Sequence, residues 1–223
     1  SIACGGHAGD AATMRETVTL CLQHGVAIGA HPSFEDRVNF GRRELALAPA
    51  DVEASVLKQI KAMASVCGEL GAQLRHVKPH GALYNLAARD RTFADAIASA
   101  THACNPALVL YALSGSCLAD AGRAMGLQVA EEAFAERRYD SDGRLAARGT
   151  PGAVIEDLDN ALAQVRMLLR EGCVVARDGS RVRLRADTLC LHGDRPDAVV
   201  FAQALRTALE DEGVTIAAPE CSG

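Results

Sequence analysis

The sequence predicts an α/β protein in which helices cover a parallel sheet. Two observations carry this: short apolar runs alternate with helix-spaced segments of roughly 10 to 20 residues, and the grammar repeats along all 223 residues without a low-complexity linker or compositional break. At roughly 100 to 200 residues per domain, one domain over residues 1–223 is the simplest organisation. Neither a GxGxxG after the first strand nor a GxxxxGK[ST] occurs, so the common nucleotide-binding open sheets lose their signatures. An open doubly wound sheet and a closed barrel both fit the alternation.

The elements follow in order. Asp10 to Leu22 has helical spacing and closes at His24-Gly25, and Val26 to Ala30 is a short apolar strand ending at His31-Pro32. A Gly- and Arg-containing loop, Ser33 to Arg43, leads to Pro49-Ala50-Asp51, which opens a helix running to about Leu70 and closing at Gly71. Leu74 to Val77 is the next strand. Then come a helix from about Arg91 to Thr101, a strand from Ala107 to Leu113, a helix from Ser116 to Met125 stopped by Gly126, and a strand from Gln128 to Ala130. Asp142-Gly143 marks a hairpin excursion within Arg138 to Arg148. A helix from Ile155 to Arg170, strands at Cys173–Ala176 and Leu189–Leu191, a helix from Pro196 to Glu212 and a strand at Val214–Ala217 complete the series.

Composition narrows the function. There are 23 Lys and Arg against 28 Asp and Glu, a net charge of −5, with the signs interspersed, which excludes a nucleic-acid footprint or an anionic membrane surface. No apolar run reaches the ~20 residues of a membrane helix, so a cytoplasmic location is expected. The closest of the eight cysteines, Cys104 and Cys117, are 13 residues apart, which removes CxxC zinc and redox motifs and leaves reduced structural thiols.

Histidine carries the chemical signal. His24 and His102 lie near helix ends and His76 within a strand, all fitting structural roles. His7, His31, His80 and His192 instead each follow a short strand-like run, and in a parallel βα architecture the C-terminal ends of strands deliver ligand and catalytic groups. A single such imidazole is as readily a loop anchor; four of them make a candidate site for general base or metal chemistry. Asp10 and Asp194 each stand just before a helix and serve as caps, as reacting carboxylates, or as both. Lys78, two residues before His80, is placed to stabilise an oxyanion or hold an anion, and Arg42 and Arg43 form a candidate anion clamp.

These residues carry a resemblance. SIACGGHAGD, GAHPSF with FGRRE, HVKPHGALYN, FAERRYDSDGRLAARGTPGAVI and LHGDRPDAV together resemble the LamB/YcsF family, in this order, from Ser1 to about Leu209. The resemblance implies an irregular seven-stranded (β/α) barrel of the NodB-like deacetylase type. It also implies ATP-dependent opening of 5-oxo-L-proline to L-glutamate, with ATP as co-substrate and subunits B and C as partners. Exposed Ala- and Arg-bearing helix faces allow packing against these or a second copy.

The family's acidic first motif, of the form DLNxDxGE, is absent, so the chain is expected to lack the first strand and to leave an open seam beside the strand leading to His7. The expected catalytic set is His7, Asp10, His31, Lys78, His80, His192 and Asp194, with Arg42, Arg43, Tyr84 and Asn85 as substrate-binding candidates. The alternatives are a metal-dependent NodB-like deacetylase or amidohydrolase, holding a divalent metal with ligands drawn from His7, His80 and His192, and a non-catalytic scaffold protein of the complex that binds a small acid.

Overall fold

The computed structural model describes residues 1–193 and 196–219. The chain divides into two compact units, the first built from Ser1–Ala112 and Ser116–Ala130, the second from Leu113–Gly115 and Glu131–Ala218.

In the first unit, strand β1 (Ile2–Ala3) leads to helix α1 (Ala11–His24). Asp10 caps α1 reciprocally: its carboxylate accepts from the Thr13 N–H at 2.9 Å, and its own N–H donates to the Thr13 hydroxyl at 2.7 Å. Gly25 ends the helix in the left-handed conformation, φ 64°. Met14 and Val18, four residues apart, form its buried stripe.

Strand β2 (Ile28–His31) is followed by the loop to helix α2 (Pro49–Glu69), which has Pro in its first turn and buries Val52, Val56, Gln59, Ile60 and Met63 on one face. Strand β3 (Leu74–Val77) spans the predicted residues. Helices α3 (Gly81–Arg89) and α4 (Arg91–Cys104) follow, joined at Asp90, which ends the first and caps the second by accepting from the Thr92 N–H.

Strand β4 (Val109–Leu113) and helix α5 (Cys117–Ala124) come next, and strand β5 (Val129–Phe134) starts at the end of this unit, its residues from Glu131 onward belonging to the second. The core of this unit gathers Val18, Val56, Ile60, Met63, Val77 and Ile97 with Leu110 and Leu118, all essentially inaccessible. At ~25 cal/mol per Å² of apolar surface removed from water, such side chains contribute roughly 1.5–3 kcal/mol each and dominate what holds the helices to the strands.

The second unit holds helix α6 (Leu158–Glu171), the antiparallel pair β6 (Cys173–Val175) and β7 (Arg181–Arg183), strand β8 (Thr188–Cys190) and helix α7 (Ala198–Asp211). Its core packs Ile155, Val165, Phe201 and Leu205. Asp142-Gly143 does turn the chain, with a bridge between Tyr139 and Leu145.

The main sheet has the order β1-β2-β3-β4-β5-β8, with β1 on β2, β2 on β3, β3 on β4 and β5 on β8 all parallel. The α/β class with a parallel sheet is therefore as predicted. Four readings are corrected. Helix α3 and strand β7 lie where no element was predicted, and β5 runs four residues beyond Ala130. Val214–Ala217 is not a strand: its N–H at Val214 returns to Leu209 O, and the run is mostly exposed, so no burial stabilises a pairing. Among the described residues all seven cysteines are free, and no helix is long and apolar enough to cross a membrane. Cys221 lies outside them.

Candidate functional site

Three of the four strand-end histidines meet in the first unit. His31 is the last residue of β2, His80 follows β3 by three residues, and His7 follows β1 by four. One ring nitrogen from each lies within 4.8 Å of one from each of the others. His7 lies flat on His80, centroids 3.7 Å apart and planes 7° from parallel, while His31 meets His80 edge-on at 4.8 Å.

Each ring is anchored through one nitrogen. His31 Nδ1 donates to Lys78 O at 2.6 Å, and His80 Nε2 donates to Phe40 O at 2.9 Å. Ser33 Oγ gives its proton to Phe34 O and so accepts from His7 Nδ1, at 2.9 Å. Ser33 is itself held by Gln59 on α2, whose amide accepts from Ser33 N at 3.0 Å and donates to Ser33 O at 2.8 Å. The sequence reading missed Ser33 and Gln59. The available signal was a glutamine in the apolar stripe of α2, between Val56 and Met63.

The loop from Ser33 to Arg43 straps the cluster. Phe40 adopts φ 53°, a left-handed conformation costly for an aromatic residue, and its ring stands edge-on to both His7 and His80. Gly41 permits the approach: a Cβ there would stand 2.9 Å from His7 Cβ and 3.1 Å from His80 Cδ2. Beside the strap is a cleft of about 480 Å³ lined by Gly5, Gly6, Arg37, Lys58 and Gln59.

Burial, then the charges of His80, Arg37 and Arg42, lower the His7 pKa to about 4. The His31 pKa falls well below its ordinary value, chiefly through burial and then the Lys78 ammonium. Both shifts favour the neutral ring.

The other candidates fall elsewhere. Asp10 is exposed and spent on capping α1, its pKa lowered by the Thr13 hydrogen bonds. Arg42 lies over the Phe40 ring at 5.1 Å, and Arg43 is exposed. On α3, Tyr84 is buried and Asn85 half-buried. His24 and His102 are exposed at helix ends, while buried His76 stacks on Tyr111 at 4.3 Å, as a structural histidine would.

His192 belongs to the second unit and has different partners. Its Nδ1–H donates to the buried Glu136 carboxylate, which also accepts its backbone N–H at 3.2 Å, and Arg148 donates to its Nε2 at 2.8 Å. The carboxylate fixes the tautomer and leaves Nε2 as the proton acceptor, the arrangement of an imidazole general base. Glu136 and Arg148 were not singled out by the sequence reading. Asp194 lies outside the described residues.

An Asp-plus-two-His metal set is not assembled among the described residues, because Asp10 is committed to its helix and His192 to Glu136. An all-imidazole set of His7, His31 and His80 is.

Comparison with known proteins places this geometry. The chain is 52% identical to the A subunit of the 5-oxoprolinase of Bordetella pertussis over 218 residues, covering 98% of this chain and 86% of that protein. It is 53% identical to the corresponding protein of Geobacillus kaustophilus over 219 residues, with the same coverage. The crystal structure of the lactam utilization protein from Thermus thermophilus superposes with a TM-score of 0.88 at 48% identity, covering 96% of this chain and 85% of that one. The LamB/YcsF family profile matches residues 1–222, and the chain belongs to that family.

Proposed function

We propose that this chain is the A subunit of an ATP-dependent 5-oxoprolinase, opening 5-oxo-L-proline to L-glutamate in a cytoplasmic complex with subunits B and C. The observation that carries the reading is half-identity over nearly the whole chain to relatives that bear the name of the 5-oxoprolinase A subunit. The six-stranded sheet is read as part of the family's seven-stranded barrel, which is supported by the family resemblance rather than by a seventh strand on this sheet.

The chemistry suits the residues. A five-membered lactam is an unactivated amide, and transfer of a phosphoryl group from ATP to its oxygen makes the ring carbon electrophilic. Water then attacks that carbon, giving up a proton to a general base; the carbon–nitrogen bond breaks, the nitrogen taking up a proton, to leave γ-glutamyl phosphate, and a second water hydrolyses this acyl phosphate to glutamate and phosphate. His192, oriented by Glu136, takes the base role, and Arg148 is released from Nε2 to hold substrate carboxylate. With no Walker-type loop in this chain, ATP is handled with the partner subunits.

The test is reconstitution with subunits B and C, following glutamate and ADP. His192→Ala should abolish glutamate release, and His80→Ala should reduce it. Unchanged release from a folded complex carrying His192→Ala sinks the assignment of the base. The all-imidazole cluster favours a second reading, a metal-dependent amide hydrolase, which predicts amide cleavage by this chain alone without ATP.

A further inference from the structure

Gln164 stands where helix α6 is otherwise apolar. The buried face of the helix carries Ala161, Gln164, Val165 and Leu168, and Gln164 is 7% exposed. An amide in such a stripe destabilises the fold unless it is hydrogen-bonded. Its Nε2 donates to three carbonyls, Phe134 O at 3.0 Å, Ala135 O at 3.2 Å and Arg137 O at 3.0 Å. Two N–H groups are thus shared among three acceptors. Along an extended strand successive carbonyls point to opposite edges, so three of them meeting one nitrogen requires the chain to turn after Phe134, where β5 ends.

The residue enclosed by this turn is Glu136, whose buried carboxylate accepts both the Nδ1–H and the backbone N–H of His192. The Glu136 carbonyl is held separately by the Ile155 N–H at 2.8 Å, and the Phe134 N–H donates to the Tyr139 hydroxyl at 2.8 Å. Gln164 Oε1, by contrast, is buried without a hydrogen-bond partner. Exchanging its oxygen and nitrogen would set an oxygen against three carbonyls, so the acceptors fix the orientation. A buried orphan acceptor is retained in order to keep the nitrogen on the turn.

We infer that Gln164 is a positioning residue for His192: by gathering the carbonyls on both sides of Glu136, its amide sets the place from which the carboxylate holds His192 in the Nδ1–H tautomer. Gln164 acts entirely through Glu136, and its catalytic sense rests on the base role proposed for His192. When the turn loosens, the exposed contact from Arg148 to Nε2 is left to hold the ring alone.

The test compares Gln164→Met, which roughly conserves volume and removes both donors, with Val165→Ala, which removes buried packing from the same helix without touching the carbonyls. Side-chain ¹⁵N shifts of the full chain read the His192 tautomer, and reconstitution with subunits B and C reads turnover. The wild type should show one Nδ1–H tautomer and Gln164→Met a mixture, with kcat lowered ~10- to 100-fold and KM within about twofold. Val165→Ala should lower the unfolding midpoint and leave tautomer and kcat unchanged. A single Nδ1–H tautomer in Gln164→Met, or an equal mixture in Val165→Ala, overturns the inference. Should Gln164→Met not fold, Gln164→Asn, its amide withdrawn by one methylene, is read in the same way. In the wild type the Gln164 amide protons should exchange with solvent far more slowly than those of the exposed Gln23, and equal rates overturn the inference whatever the variants do. Full turnover by the Gln164→Met complex, with His192→Ala inactive, overturns it and leaves the base assignment standing; a tautomer shift in Gln164→Met, with a wild-type complex that opens no lactam, does the reverse.

Discussion

Gln59 ties the strap over the imidazoles to the helix beneath it, and Gln59→Met tests how much that tie is worth. Gln59 is 4% exposed and Ser33 2%, so water cannot replace the amide when it is removed. The substitution roughly conserves volume and opens no cavity, but leaves the Ser33 N–H and C=O without their partners at 3.0 and 2.8 Å. Each unsatisfied buried group costs about 1–3 kcal/mol, and methionine recovers part through apolar burial, for an expected loss of about 2–5 kcal/mol. At ~2–4 °C per kcal/mol for a chain this size, the midpoint of thermal unfolding should fall by roughly 5–15 °C. Urea unfolding should show a lower midpoint at unchanged slope, locating the effect in the native state. Because Ser33 Oγ holds His7 Nδ1, acylation of His7 by diethyl pyrocarbonate should also accelerate. A variant within about 0.5 kcal/mol of the parent, with His7 no more reactive, would refute the chain of support from Gln59 through Ser33 to His7.

Other substitutions probe other links. Gly29→Ala would place a Cβ 2.0 Å from His76 Nε2, so it should cost about 3 kcal/mol or more, and the double variant with His76→Ala should recover part of the loss in a denaturation cycle. Burial holds His76 near a pKa of about 3 against an ordinary 6.5, so below pH 6.5 the unfolded chain binds a proton the folded chain refuses. Stability should therefore fall with decreasing pH across that window, by about 1.4 kcal/mol per unit from this group, and His76→Gln should flatten the slope in urea titrations at pH 7 and 4.5; identical slopes would count against it. Glu136→Gln should leave the fold intact and lower turnover of the reconstituted complex ten- to a thousandfold, since the His192 tautomer is no longer fixed. Arg137→Met removes donors to Ala146 O and Ala153 O, so the 138–154 excursion should become the first site of limited proteolysis.

The elements readable from sequence were those whose signals are local. Strand β3 lies between Gly71 and Pro79 with Leu74 and Val77 at its ends, and α2 carries Pro49 at its start and a stripe from Val52 to Val66. Helix α3 escaped because it opens on a glycine, lacks a side-chain cap and has only nine residues, so its stability comes from burying Leu83, Leu86 and Ala87. Strand β7 reads as polar, with Arg181 and Arg183 exposed around one buried valine, and exists because β6 pairs with it. Val214 to Ala217 shows the converse, since an apolar run is a strand only where a partner edge and a core receive it.

The candidate site divides along a similar line. His7, His31 and His80 were legible because parallel strands bring their C-terminal ends to one side, and the residues after each strand end follow. Their chemistry was not legible, because it depends on which nitrogen carries the proton, and the partners are largely backbone. Lys78 contributes its carbonyl to His31 as well as its charge, and Phe40 contributes a carbonyl aimed by an unusual φ of 53°. A carbonyl leaves no letter in the sequence. His192 differs only in that its partner, Glu136, is a side chain, yet a glutamate 56 residues away carries no mark of that pairing either. Two sets of imidazoles that look alike as strand-end histidines are thus set for different tasks by their acceptors. Carbonyls and a hydroxyl anchor three rings against one another, whereas a buried carboxylate fixes the tautomer of a fourth, whose Nε2 accepts from Arg148.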